Sequence, residues 1–350
     1  MSSQSLPLIL EQRPAPAVHT VRHVGDSLRI TLTLSSPRQG KAYIRTNLGN
    51  VEIQRQEIIY KVENGVEPLG RDWRDIPMRR LSDTAFEIRM PLTEIGIFEY
   101  KCFFVDALES KPVWPRGENA KIKVITALGV AGNTIYNAFV RQFGRNLSGD
   151  ADSEEVKKAA ALLDQENYTV IPPSGTFRTV KSKLDFIIGE MGFRILQFLP
   201  VHPTPTVFAR MGRYGSPFAP LDFFNVDASM AEFDQRTTPL EQFLELVDQI
   251  HGRGALVFLD LPIDHTGWAS VMQAHNPEWF ARTADGAFES PGAWGVVWSD
   301  LVELDYANAA LRTYMADVFL FWCRLGIDGF RCDAGYMIPA ETWEYIVARV

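Results

Sequence analysis

Between residues 18 and 125, apolar and polar positions alternate in short runs. Residues 28–34 (LRITLTL) alternate throughout, and 85–90, 98–103 and 120–124 repeat the pattern. A period of two turns one face of each run toward a core and the other toward water, which predicts half-buried strands. Turn-forming residues separate the runs: Gly40, Asn47-Leu48-Gly49 and Asn64-Gly65. Several such strands at short spacing predict an Ig-like β-sandwich over 17–127, preceded by a flexible tail over 1–16.

From residue 128 a linker leads into a different texture. Residues 134–140 (TIYNAFV) read as a buried strand. Over 178–191 the apolar residues Val180, Leu184, Ile187, Ile188 and Met191 recur at helical spacing, and Gly192 ends the run before a strand at 193–201. The next helix opens on Thr238-Pro239-Leu240-Glu241, where Thr238 caps, Pro239 takes the first helical position and Glu241 completes a capping box. Gly252 and Gly254 precede a strand at 255–260. A helix at 309–325 stops at Gly326 before a strand at 327–333. Three helices that stop at glycine, each followed at once by an apolar strand, predict a parallel sheet with helices outside. A doubly wound sheet would carry a glycine-rich phosphate loop after its first strand, and no GxGxxG or GxxxxGK[ST] occurs. The alternative is a (β/α)8 barrel, whose functional residues sit at the C-terminal ends of its strands.

Charge narrows the partners. Lys+Arg 35 against Asp+Glu 43 leaves a net charge of −8 over 350 residues, a poor match to nucleic acid or an anionic membrane. Cys102, Cys323 and Cys332 fit no zinc site and no disulfide framework. The first residues lack a basic signal-peptide start, and no apolar stretch reaches membrane-spanning length. A cytoplasmic protein is expected.

The polar residues then single themselves out. In the last strand Arg331 and Asp333 share one face at its C-terminal end. An arginine there holds the carboxylate ionised, which suits a nucleophile, and suits equally an ion pair with no chemistry. The strand at 255–260 ends in Asp260, followed by Asp264 and His265. His265 reads by itself as a loop histidine satisfied by backbone. His202 follows the strand at 193–201, and Tyr214 and Phe218 lie on a loop at the same end. Trp268, Trp279, Trp294 and Trp298 cluster in an extended loop over 266–305, where they stack on sugars or, for most of them, form a small core.

Taken in order, these stretches resemble the α-amylase superfamily, glycoside hydrolase family 13. Residues 135–141 followed by Phe143-Gly144 are similar to the family's first strand. Residues 192–200 resemble its second, 260–265 (DLPIDH) its third and 329–334 (GFRCDA) its fourth, with 304–308 (LDYAN) like a short motif before the following helix. The resemblance implies the first four βα units of a TIM (β/α)8 barrel over 128–350. It implies a retaining enzyme on α-1,4/α-1,6 glucans or maltooligosaccharides, a hydrolase or a transglycosylase. Asp333 would be the nucleophile, Arg331 its orienting partner and Asp260 the support of that arginine. His265 would bind sugar, with Phe218, Asp222, Tyr214 and His202 as further substrate-binding candidates. Asp264 stands where the family has a calcium-binding Asn and could itself be a ligand; no cofactor is expected, with calcium as the alternative.

The family's acid/base Glu comes from a fifth strand, which these residues do not supply. Glu341 and Glu344, on the helix after the fourth strand, are expected to face away from the mouth. The chain is therefore expected to be the front part of a longer enzyme, with the rest of the barrel supplied elsewhere. The alternative is an inactive carbohydrate-binding or partner-binding remnant.

Overall fold

A computed structural model describes residues 7–108, 111–126, 133–144, 174–205 and 215–350, with isolated positions between 158 and 166. The chain forms two compact units, Met1–Gly132 and Asn133–Val350.

The first unit is two β-sheets over one core. Strands β1 (Leu10–Arg13), β3 (Ser27–Leu34), β7 (Ala85–Pro91) and β6 (Arg79–Arg80) make one sheet. The other runs β2 (His19–His23), β10 (Ala120–Ile125), β8 (Gly96–Asp106), β4 (Gly40–Thr46) and β5 (Arg74–Pro77), with β9 (Pro112–Val113) on β8. The alternation does what it predicts: Leu28, Ile30 and Leu32 of β3 meet Ile44, Phe98 and Phe104 in the shared core. Residues 10–13 correct the expected tail. They pair antiparallel with β3, and buried Gln12 accepts from the Cys102 amide at 2.7 Å. Partners across the sheet edge order a segment whose own four residues carry no strand pattern long enough to read. A helix, α1 (Val51–Asn64), interrupts the strands between β4 and β5. No described residue of it is buried, so it leaves little apolar periodicity for a sequence pattern to register.

The second unit carries a four-stranded parallel sheet in sequential order: β11 (Ile135–Ala138), β12 (Ile195–Phe198), β13 (Leu256–Pro262) and β18 (Gly329–Asp333). Before β12 come α2 (Phe177–Lys181) and a wider π-type turn at Asp185–Glu190. The helix α3 (Pro239–His251) joins β12 to β13 and closes the expected capping box, with Thr238 accepting from the Glu241 amide and Glu241 from the Thr238 amide. Its Phe243, Leu246, Val247 and Ile250 are buried.

Between β13 and β18 the chain builds a small subdomain. β14 (His265–Gly267) pairs with β17 (Leu301–Glu303), and between them lie α4 (Val271–His275) and a hairpin of β15 (Gly292–Ala293) and β16 (Val296–Val297). The helix α5 (Ala309–Arg324) then returns to β18. Gly326, at φ +95°, makes the reversal that a side chain would strain. A final helix, α6 (Ala340–Arg349), follows β18. Among the described residues no helix is long and apolar enough to cross a membrane.

Candidate active site

Parallel pairing brings β13 and β18 into a register that sets Asp260 beside Arg331 and Pro262 beside Asp333. Arg331 and Asp333, two apart on one strand, therefore emerge together at its C-terminal end. Arg331 Nη2 lies 2.6 Å from Asp333 Oδ1, and Nη1 donates to both Asp260 oxygens at 3.1 and 2.8 Å. One guanidinium thus bridges two carboxylates from neighbouring strands.

The two carboxylates differ in exposure. Asp260 is 2% exposed, whereas the Asp333 side chain is 29% exposed and opens into a cavity of about 190 Å³. Burial pushes the Asp260 carboxyl up to about 7, against the pull of Arg331, and Asp333 adds to the rise. Arg331 is held above its usual value: burial works against its charge, but Asp260 and Asp333 outweigh it.

A raised Asp260 means that the folded protein binds a proton more tightly than the unfolded chain does. Its contribution to stability is full at acid pH, declines as pH rises from about 4 to about 7, and is flat above that. Asp260→Asn is expected to remove that slope. The urea midpoint of the wild type, relative to the variant, should fall between pH 4.5 and pH 8. Parallel curves would refute the assignment.

The cavity at Asp333 is also lined by Ser216, Phe218, His265, Trp298 and Asp300. The half-buried Phe218 ring lies 5.8 Å from the Arg331 guanidinium carbon. His265 is 1% exposed, and its Nε2–H donates to the Phe218 carbonyl at 2.7 Å. Its Nδ1 sits 3.0 Å from Asp264 Oδ2, out of line for a hydrogen bond. His265 lines the cavity as the expectation requires, but its Nε2 is already engaged. That nitrogen fastens the Phe218 loop to β14.

His202 is corrected more sharply. It is fully buried, with Nδ1–H donating to the Asn225 carbonyl at 3.1 Å and the ring edge-on to Phe223 and Trp322. Burial lowers its pKa to about 4, so it is a neutral core residue. Asp222 closes a turn, accepting from the Phe224 amide at 2.9 Å and from Asn225 Nδ2 at 2.5 Å, and does not line the cavity. Tyr214 lies outside the described residues.

Ser216, Trp298, Asp300 and Leu301 are the lining residues that sequence reasoning did not assign. Trp298 was grouped with a subdomain core, a fair description of Trp279, which is 8% exposed. Trp298 instead meets the His265 ring edge-on at 6.2 Å. Its place directly before β17, which pairs with β14, was the only available signal, and it needed the pairing to be known.

The Asp264 carboxylate is buried with no hydrogen-bond donor on either oxygen. Among the described residues no group of three or more His, Cys, Asp or Glu is placed to hold a metal ion. A larger cavity of about 330 Å³ lies in the first unit between α1 and residues 66–71. Its Glu57 is engaged by the Gly70 and Arg71 amides.

Comparison with known proteins identifies relatives. The family described as "Alpha amylase, catalytic domain" matches residues 139–345. An alpha-1,4-glucan:maltose-1-phosphate maltosyltransferase of Cereibacter sphaeroides is 29% identical over 186 residues, covering 50% of this chain and 31% of that protein. The enzyme of the same name from Picrophilus torridus is 21% identical over 336 residues, covering 80% of this chain and 52% of that protein. The crystal structure of an alpha-amylase from Lactobacillus plantarum is similar at 29% identity and a TM-score of 0.47, covering 60% of this chain and 40% of that one. The chain thus spans about a third to about half the length of these relatives. The matched span is more than half of the chain and contains Asp260, Arg331 and Asp333, and the chain belongs to the alpha-amylase family, glycoside hydrolase family 13.

Proposed function

We propose that this chain carries the nucleophile half of a retaining enzyme acting on α-1,4/α-1,6 glucans or maltooligosaccharides, as a hydrolase or a transglycosylase. The observation that carries the reading is Asp333: a carboxylate held at 2.6 Å by Arg331 and open to a cavity. Its oxygen attacks the anomeric carbon. The glycosidic C–O bond breaks with its electron pair on the leaving oxygen, which takes a proton from a general acid. Water or an acceptor hydroxyl then releases the sugar from Asp333. Arg331 keeps Asp333 ionised and aimed, and Asp260 anchors Arg331. The names of the relatives support an α-glucan substrate.

The four parallel strands are, in this reading, the first four of a (β/α)8 barrel. A retaining site needs a second carboxyl group about 5–5.5 Å from the nucleophile. Asp260 is already committed to Arg331. The likeness to the family assigns the acid/base to the fifth strand of such a barrel.

A fluoride leaving group departs without protonation, so it tests the nucleophile independently of the acid. Incubation with maltosyl fluoride, followed by peptide mass spectrometry, should find a glycosyl adduct on the peptide containing Asp333. An adduct on another residue refutes the role of Asp333. Glucan binding with no adduct at all favours an inactive carbohydrate-binding remnant.

A further inference from the structure

In the first unit, strand alternation turns Leu28, Ile30, Phe86 and Met90 into the core and Arg29, Glu87 and Arg89 outward. Pairing of β3 with β7 sets Arg29 directly opposite Arg89, and pairing of β6 with β7 sets Arg79 opposite Glu87. Like charges directly opposite on neighbouring strands repel, so folding alone does not favour the Arg29–Arg89 pair.

One carboxylate serves all three arginines. Glu87 Oε2 accepts from Arg29 Nε, and Glu87 Oε1 lies 3.4 Å from Arg79 Nη2 and 3.4 Å from Arg89 Nε. The Arg29 hydrogen bond, working against burial, holds the Glu87 carboxyl below its usual range, so it is ionised at neutral pH. The Glu87 side chain is 5% exposed, whereas the three arginine side chains are 60–75% exposed. A buried post thus gathers three guanidinium groups at the surface. Beyond Glu87, no acceptor among the described residues takes a hydrogen bond from them. Arg13, on the same face, is matched by Glu11 at 2.9 Å. Three positive charges against one negative leave this patch positive in a chain of net charge −8.

We propose that Arg29, Arg79 and Arg89 bind the phosphate group of a small molecule on the outer face of this sheet. A phosphate ester carries about −1.5 to −2 at pH 7, which matches the excess, and its oxygens suit the guanidinium fork. The side chains turned outward from β3 and β7 include no aromatic ring, so a neutral sugar has nothing there to stack on.

The test titrates the full chain calorimetrically, at about 0.15 M salt, with inorganic phosphate and with glucose 6-phosphate. It compares the wild type with R89Q, R29Q/R89Q and K41Q/K123Q. Lys41 and Lys123 are exposed on the other sheet, so their variant removes the charge of two residues elsewhere. R89Q should weaken binding about fivefold and R29Q/R89Q about twentyfold, with K41Q/K123Q within about twofold of the wild type. R89Q should also hold or raise the urea midpoint, because it ends the repulsion with Arg29, so its lost affinity is not lost folding. Both binding outcomes uphold the site: tighter binding of the ester assigns it to a phosphate ester, and equal binding to the free ion. Unchanged affinity in R29Q/R89Q overturns the proposal. An equal loss in K41Q/K123Q overturns it too, because overall charge would then account for the binding. A wild type that binds neither compound overturns it outright.

Discussion

Asp333→Asn is expected to lower glucan turnover by about 10⁴-fold or more while leaving the fold intact, because the amide cannot form the glycosyl ester. The structural side follows from the bridge. Asp333 is partly exposed, and Arg331 keeps two hydrogen bonds to Asp260 when Asp333 becomes neutral. An exposed ion pair contributes only about 0–1 kcal/mol, so the urea midpoint should stay near that of the wild type. Arg331→Ala supplies the contrast. It removes both hydrogen bonds from the buried Asp260 carboxyl, which then takes up a proton, and is expected to cost about 1–3 kcal/mol as well as activity. The measurement is the initial rate on maltooligosaccharides by the active polypeptide, beside an unfolding curve for each variant. A retained rate in Asp333→Asn would end the nucleophile assignment.

Trp322→Ala is expected to produce the largest loss of stability, about 3–5 kcal/mol in the second unit. Trp322 is fully buried on α5, with ring centroids 5.1 Å from Phe321, 5.5 Å from His202 and 5.9 Å from Phe243. Its indole N–H donates to the Phe223 carbonyl at 2.9 Å. Truncation leaves a large cavity and a buried carbonyl without its donor. Trp322→Phe keeps most of the volume and removes the hydrogen bond, so it should fall between the alanine variant and the wild type. Denaturant unfolding of the second unit, read by amide hydrogen exchange over residues 133–350, checks both. A loss below about 1 kcal/mol for the alanine variant would mean that α5 does not anchor this core.

Trp322 also explains one reading that failed. His202 follows an apolar strand, as residues at a barrel mouth do, and sequence spacing gives no depth. Its ring packs on Trp322, which is 120 positions away in the chain. Asp222 failed for a related reason: a carboxylate two residues before Phe224 and three before Asn225 bonds both locally, and that turn competes with any ligand. By contrast, the pairing of Arg331 with Asp333 was legible, because strand alternation dictates it whatever surrounds the strand.

What the amino-acid sequence determined by itself is local. It specifies which residues alternate in β3 and β8, where Thr238 starts α3 and which two charged side chains leave β18 together. Period, capping chemistry and side-chain alternation act over a few residues, so they can be read without the fold. Only the tertiary structure decided that Asp260 is buried and raised to about 7 while Asp333 is open, because both lie at strand ends and differ only in what covers them. It also decided that His265 engages the Phe218 carbonyl through Nε2, and that Trp294 stands in solvent while Trp279 is enclosed. Burial and long-range hydrogen bonds depend on partners far away in the chain, and no local pattern encodes that distance.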